Sequence, residues 1–513
     1  MHGLLTSSIG VTCAAALTLP LTAAPTTATA ATGRAAPASA PAQAPAAAYV
    51  PGSTQSLPLA PLTGDRASTA PGTAEQGVPR RDTRHFSLVG VVWDDPATEL
   101  HGRVQVRTRA TATGTWSDWQ DLETHNADHA ADPGTAESAS GRVRGATAPL
   151  WVGESDGVEV RVRAGDEDGT TDAATTSPLP TGMRLELVDP GQGTPPQPPT
   201  DEAASGEVPR TTALTTGTTE TAAETAETSE TSETAETSET TESVEPIGAA
   251  AEALGSAESA EVFASLEGLD ASAANVGLAP LGATEIPALS RLQTESELLA
   301  LGTLTEQQKA KPYVGPRPSI TTRRGWGANE KLREKKFVYT KKVKAAFVHH
   351  SATGNNYRCS QAPSVIRSIY RYHVKSMGWR DIGYNFLVDK CGKIYEGRAG
   401  GVSKPVLGAH TMGFNSNSMG IAVLGTYGSK KPSSAAVKAV ARLTAWKLGL
   451  YGMNPRGKTY LKSGGGNLYR KGKNVRLNVI SGHRDGFATS CPGKQLYGKL
   501  GTARSSAAKY QGR

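Results

Sequence analysis

The chain has 513 residues, 37% of them hydrophobic and 5% aromatic, with 54 Lys and Arg against 48 Asp and Glu. That length excludes a single ordinary domain. The small net charge of +6 conceals a division, because residues 311–513 carry 38 basic and 6 acidic residues while the preceding 310 carry 16 and 42. A chain of uniform sign is thereby excluded, and the field of the C-terminal part draws polyanions: nucleic acid, anionic membrane or the acidic polymers of a cell wall.

The apolar run Val11–Leu21 leads through small residues to Ala28-Thr29-Ala30, the pattern of a secretory signal peptide over residues 1–30. The run is too short to cross a bilayer and no other transmembrane candidate follows. The expected location is secreted, extracellular or wall-associated, which removes nucleic acid from the expected partners and favours wall polymer. Residues 31–80, rich in Ala, Thr, Ser and Pro, cannot bury enough apolar surface to offset their ordering entropy and read as a disordered leader.

Over residues 81–190 short runs alternate with period two, as in Arg103-Val104-Gln105-Val106-Arg107 and Gly157-Val158-Glu159-Val160-Arg161-Val162. This predicts a small all-β sandwich, with Trp116 and Trp119 as core and corner packing. Residues 191–244 pass from Pro-rich to a Thr/Glu repeat, Ala226-Glu227-Thr228-Ser229-Glu230-Thr231, in which mutual Glu repulsion predicts an extended disordered linker. Residues 245–312 are weakly helical and left unassigned.

Residues 313–501 carry strands and helices in alternation. Val343–Thr353, Met419–Leu424 and Val475–Ser481 read as strands, and Tyr384–Asp389 with Lys393–Glu396 as a hairpin around Cys391. Pro363–Lys375 and Ser433–Leu448 read as helices. The expected architecture is an α/β domain, a mixed central sheet flanked by helices, and residues 502–513 read as a basic tail.

Three segments end in metal-type ligands: the strand Phe347-Val348-His349-His350, and the block Ser481-Gly482-His483 through Cys491-Pro492-Gly493. Two imidazoles and a thiol can form three corners of a tetrahedral zinc site whose fourth corner stays open for water. Cys13 leaves with the signal peptide, so Cys359, Cys391 and Cys491 remain, permitting one disulfide and one thiol with another role. Cys491 can pair with either of the others. If Cys359 and Cys391 bridge helix start to hairpin, it is left free beside His483.

These residues resemble the zinc amidases that include peptidoglycan recognition proteins and phage-type muramoyl-alanine amidases, as a bacterial secreted member. The resemblance runs from about Arg323 to Leu500. It rests on Arg324-Gly325-Trp326-Gly327, the His349–Ala352 strand end, Asp381-Ile382-Gly383-Tyr384-Asn385-Phe386, Tyr395-Glu396-Gly397-Arg398, Gly408-Ala409-His410, Gly413-Phe414-Asn415, and the Gly482–Gly493 block. It implies Zn2+ held by His349, His483 and Cys491, with His350 as second choice. Tyr384 and Thr489 take catalytic positions, and His410, Arg398 and Asn415 substrate-binding ones. It also implies hydrolysis of the lactyl–L-alanine amide of peptidoglycan, in a protein expected to be a monomer. Ala399-Gly400 stands where animal recognition proteins carry a pair linked to stem-peptide choice. The alternatives are a non-catalytic peptidoglycan-binding protein with structural zinc, and a charge-driven wall adhesin acting through its β-sandwich.

Overall fold

The computed structural model describes residues 51–62, 75–165, 178–192, 269–302 and 312–513. The expected signal peptide and nearly all of the Thr/Glu linker lie outside these residues.

The first domain is all β. Its strands are β1 (Ser53–Pro58), β2 (Ala60–Pro61), β3 (Glu75–Trp93), β4 (Gly102–Ala110), β5 (Gln120–Leu122), β6 (Gly145–Ala146), β7 (Leu150–Ala164) and β8 (Arg184–Asp189). Hydrogen bonding joins them in one antiparallel sheet of path β1-β8-β3-β7-β4-β5, with β2 and β6 also on β3. Three register shifts along the β3–β7 ladder bend the long strands. The sheet thereby encloses a single core of Val89, Val91, Val104, Val106, Val158, Val160, Leu185 and Leu187. Period-two alternation gave this face correctly. The start was misplaced: residues expected in the disordered leader supply β1, β2 and the beginning of β3. β1 pairs along its whole length with β8, so backbone hydrogen bonds secure a strand that is too polar to be read as one. Trp116 and Trp119 do not join the core; each is half-buried, with Arg80 stacked on the first and Arg107 and Arg161 on the second.

The second domain is α/β. It comprises α1 (Leu269–Ala273), β9 (Glu285–Ile286), α2 (Arg291–Ala300), β10 (Ile320–Thr321), β11 (Ala345–His350), α3 (Ala362–Arg371, continued as a π turn over Tyr372–Ser376), β12 (Phe386–Val388), β13 (Ile394–Glu396) and β14 (Ser418–Val423), followed by α4 (Ser434–Gly449), β15 (Lys458–Lys462), β16 (Asn474–Asn478), β17 (Ile480–Gly482), α5 (Lys494–Tyr497) and α6 (Leu500–Tyr510). Seven strands form a mixed sheet in the order β17-β11-β14-β12-β13-β10-β9. β11 lies inside it, paired in parallel with β14 on one side and β17 on the other, and like most parallel strands it is buried on both faces.

Two expectations need correction here. The unassigned stretch 245–312 contributes α1, β9 and α2, whose Ile286 and Leu298 enter the core of the α/β domain. Ser290 and Gln293 form a reciprocal capping box at the start of α2. The basic tail is the last two turns of α6. Leu500, Ala503 and Ala507 recur at helical spacing in that core, and the Gln511 amide donates to the carbonyls of Ala445 and Met453.

Both domains belong to one compact unit, Ala48–Arg513. The outer face of the β-sheet, through Leu88, Val92, Trp151 and Val188, packs against Val365, Ile366, Ile369 and Tyr372 of α3. At the centre the Tyr372 hydroxyl donates to the carbonyls of Val91 and Thr147, at 3.4 and 3.1 Å. Gly90 makes this approach possible, because a Cβ there would lie 2.3 Å from the Tyr372 hydroxyl oxygen. Cys359 and Cys391 form a disulfide tying the start of α3 to the β12–β13 turn.

Gly90→Ala is expected to lower stability by about 1–3 kcal/mol through overpacking against a tyrosine that cannot swing away. The loss is read as a lower midpoint in chemical denaturation, and an unchanged midpoint would show that the interface yields freely.

Candidate metal centre

β11 delivers the first ligand. Ala346 and Val348 face the apolar core with α4, so alternation turns Phe347 and His349 to the opposite face of the sheet. β17 runs parallel to β11 and ends at Gly482, placing His483 in the following 3₁₀ turn beside His349. The loop after that turn returns Cys491 to the same point.

The Nδ1 atoms of His349 and His483 are 3.1 Å apart, and the Cys491 sulfur lies 3.8 Å from His349 Nδ1. A tetrahedron with zinc–nitrogen bonds near 2.0–2.1 Å and a zinc–sulfur bond near 2.3 Å has edges of about 3.4 Å between nitrogens and about 3.6 Å from nitrogen to sulfur. The observed spacings fit. Cys491 is the single free cysteine among the described residues and is buried.

The surroundings favour neutral imidazoles. Burial, reinforced by the neighbouring His483, holds His349 well below the ordinary histidine range. Burial likewise brings His483 down to about 3, and burial together with His129 does the same for His350. Burial, then the negative field of Asp128, pushes the Cys491 thiol up; a divalent cation reverses that by ligating the thiolate. His483 Nε2, on the far side of the ring from the cluster, is buried without a hydrogen-bond partner. Two imidazoles and one thiol match zinc chemistry.

Other residues orient these. Thr411 Oγ1 lies 3.4 Å from His349 Nε2 and 3.0 Å from His410 Nδ1, linking the three side chains in the manner of an outer ligand shell. Tyr384 stands at the mouth of β12 with its ring 5.5 Å from that of His349. Burial, then the fields of Cys491 and Asp128, raise its phenol well above the ordinary range, so it keeps its proton. Thr489 Oγ1 accepts from the Cys491 backbone NH at 3.1 Å.

The remaining expected site residues sit differently. His350 turns away from the cluster, its Nδ1 accepting from the Tyr427 NH at 3.3 Å. His410, expected to touch substrate, is fully enclosed. Its ring packs on Gly420, where a Cβ would lie 2.4 Å from it, and its backbone NH donates to Asn415 Oδ1. Arg398 and Asn415 are buried too, and both are engaged by the β domain.

The connection between β5 and β6, residues 123–144, crosses to the α/β domain. It brings a fourth donor: His129 Nε2 lies 3.6 Å from the Cys491 sulfur, and the ligand atoms of His129, His349, His483 and Cys491 all fall within 4.8 Å of one another. Asp128 Oδ1 sits 2.9 Å from His129 Nδ1, and Asp128 Oδ2 sits 3.6 Å from His483 Nδ1. Burial raises the Asp128 carboxyl, yet His129 and His483 prevail and hold it below the usual range. Sequence reading missed both residues. The available signal was an unusually long connection in a small β domain carrying His125-Asn126-Ala127-Asp128-His129.

Residues 339–494 match the family described as N-acetylmuramoyl-L-alanine amidase, and residues 37–182 match one described as Rv3811 N-terminal galactose-binding domain-like. Peptidoglycan-recognition protein SC2 of Drosophila simulans is 32% identical over 159 residues, covering 31% of this chain and 72% of that protein. The human N-acetylmuramoyl-L-alanine amidase is 31% identical over 190 residues, covering 36% of this chain and 28% of that protein. Among solved structures, wild-type Drosophila PGRP-LB is similar at 25% identity and a TM-score of 0.28, covering 36% of this chain and 92% of that one.

Because the folded state keeps His350 and His483 neutral down to about pH 3 and the unfolded chain protonates near about 6.5, their contribution is complete above about pH 6.5. It is lost as the pH falls toward about 3. Thermal midpoints of metal-stripped protein are therefore expected to fall steadily over that window; a flat profile would contradict burial of neutral imidazoles.

Proposed function

Because the chain belongs to the family of peptidoglycan-recognition proteins and N-acetylmuramoyl-L-alanine amidases, we propose that it is a secreted zinc amidase. Its substrate would be the lactyl–L-alanine amide joining N-acetylmuramic acid to the stem peptide of peptidoglycan. The observation that carries the reading is the meeting of Cys491 with His349 and His483 at zinc-ligand spacing.

His349, His483 and Cys491 would hold the ion, which when bound supplies Lewis acidity to the scissile carbonyl and acidifies water. The chain's own residues do the rest. Thr411 fixes the His349 ring. Tyr384, kept protonated by burial, offers a hydroxyl to the carbonyl oxygen as negative charge develops there. Thr489 holds the Cys491 backbone in place. The basic surface of residues 311–513 would hold the protein on an anionic wall. Among the described residues no helix is long and apolar enough to cross a membrane.

The second reading, a peptidoglycan-binding protein with a structural metal, has one observation in its favour: His129 raises the donor count to four, the number of a closed structural site.

Incubating the full chain with peptidoglycan is expected to release stem peptides with free N-terminal alanine, and a chelator to stop it; new reducing sugar ends instead would overturn the bond assignment. Tyr384→Phe should lower the rate by roughly 10²–10³-fold. Cys491→Ala should abolish cleavage while sedimentation with cell walls persists, because the basic surface survives. Equal loss of both would contradict that separation.

A further inference from the structure

The β domain already docks on the α/β domain through the apolar face of α3. The 123–144 connection makes a second and separate contact, and what it touches is the proposed active site. His129 approaches the Cys491 sulfur. Its ring stands 5.8 Å from that of Tyr384, edge-on, so it fills the space in front of both. Asp128 is aligned behind it, with carboxylate, imidazole and sulfur in a row. That is the arrangement in which an outer carboxylate orients a metal-bound histidine.

Further along, the connection engages buried polar groups of the α/β domain. Asp132 Oδ1 accepts from Asn415 Nδ2 at 2.6 Å and from the Gly413 NH at 2.8 Å, while the Ala130 carbonyl accepts from Asn415 Nδ2 as well. Glu137 receives both terminal nitrogens of Arg398, at 2.8 and 2.9 Å, and the backbone NH of Arg380. A two-pronged carboxylate on a buried guanidinium is the contact that a substrate carboxylate would make. Stem peptides of peptidoglycan carry such carboxylates.

Resting on the amidase reading, we propose that residues 123–144 form a built-in plug: His129 is the fourth protein ligand of the metal, and Asp132 and Glu137 occupy the sites that receive substrate carboxylates. The chain as folded is then the closed form. Muropeptide enters only when the plug withdraws, so its apparent affinity falls in proportion to the fraction of open molecules. Withdrawal exposes one coordination position and frees Arg398 and Asn415 together. The same segment thus reconciles a four-donor site with a hydrolase.

The test uses the full chain loaded with Co2+ in place of zinc. Wild type is expected to show the intense visible bands of a four-ligand site with one thiolate, insensitive to added muramyl dipeptide. His129→Ala should keep one metal per chain, show an altered spectrum, and lose cobalt to a chelator at least ~10-fold faster, the scale at which metal sites respond to lost support. An Asp132→Asn, Glu137→Gln double variant leaves all four donors intact and guards against misfolding of the first. It should bind muramyl dipeptide at least ~10-fold more tightly in calorimetry. Identical cobalt spectra for wild type and His129→Ala overturn the proposal, as does unchanged muramyl dipeptide affinity in the double variant. If both shifts occur but no variant releases stem peptides with free N-terminal alanine from peptidoglycan, the plug stands and the amidase reading fails.

Discussion

Asp128 is a carboxylate buried where two domains exclude water, and a buried carboxylate has to find its polar partners inside the protein. Two imidazoles, His129 and His483, face it, and both belong to the cluster that suits a metal ion. That single requirement ties the β5–β6 connection to the end of β17 and so fixes how the domains meet at the site. Remove the cation-accepting cluster and the carboxylate is left unpaired; remove the carboxylate and His129 loses the partner that aims it. The apolar docking on α3 holds the domains together, but Asp128 sets what they hold between them.

The α/β half was legible because its chemistry is written locally. β11 reads as a buried strand ending in His349, and the Gly482–Gly493 block follows another strand, so a sheet that aligns their ends must bring the ligands close. The odd cysteine count allowed one bridge and one thiol with another role but left the pairing open; the structure joins Cys359 to Cys391 and leaves Cys491 free. Tyr384 heads β12 and needed only hairpin register to face His349.

What stayed hidden was non-local or atypical in composition. β1, with the sequence Ser-Thr-Gln-Ser-Leu-Pro, has too few apolar residues to announce a strand and exists because β8 offers an open edge. α6 reads as a basic tail since Arg504 and Lys509 draw the eye, whereas small Ala503 and Ala507 do the packing. His129 could not be found from the amidase motifs because it lies 220 positions before His349, in a domain with its own pattern. Arg398 and Asn415 were expected to bind substrate; in the fold both are buried and paired, and their partners Glu137 and Asp132 come from that same distant connection.

The docking surface on α3 also bears on how the molecule can be taken apart. Val365, Ile369 and Tyr372 are buried in a cluster to which strands of the other domain contribute. Severing the chain between the halves would leave them as a contiguous greasy stripe on an otherwise strongly cationic body, the kind of surface that promotes self-association. The two halves are better regarded as mutual chaperones, each shielding what the other must not show to water.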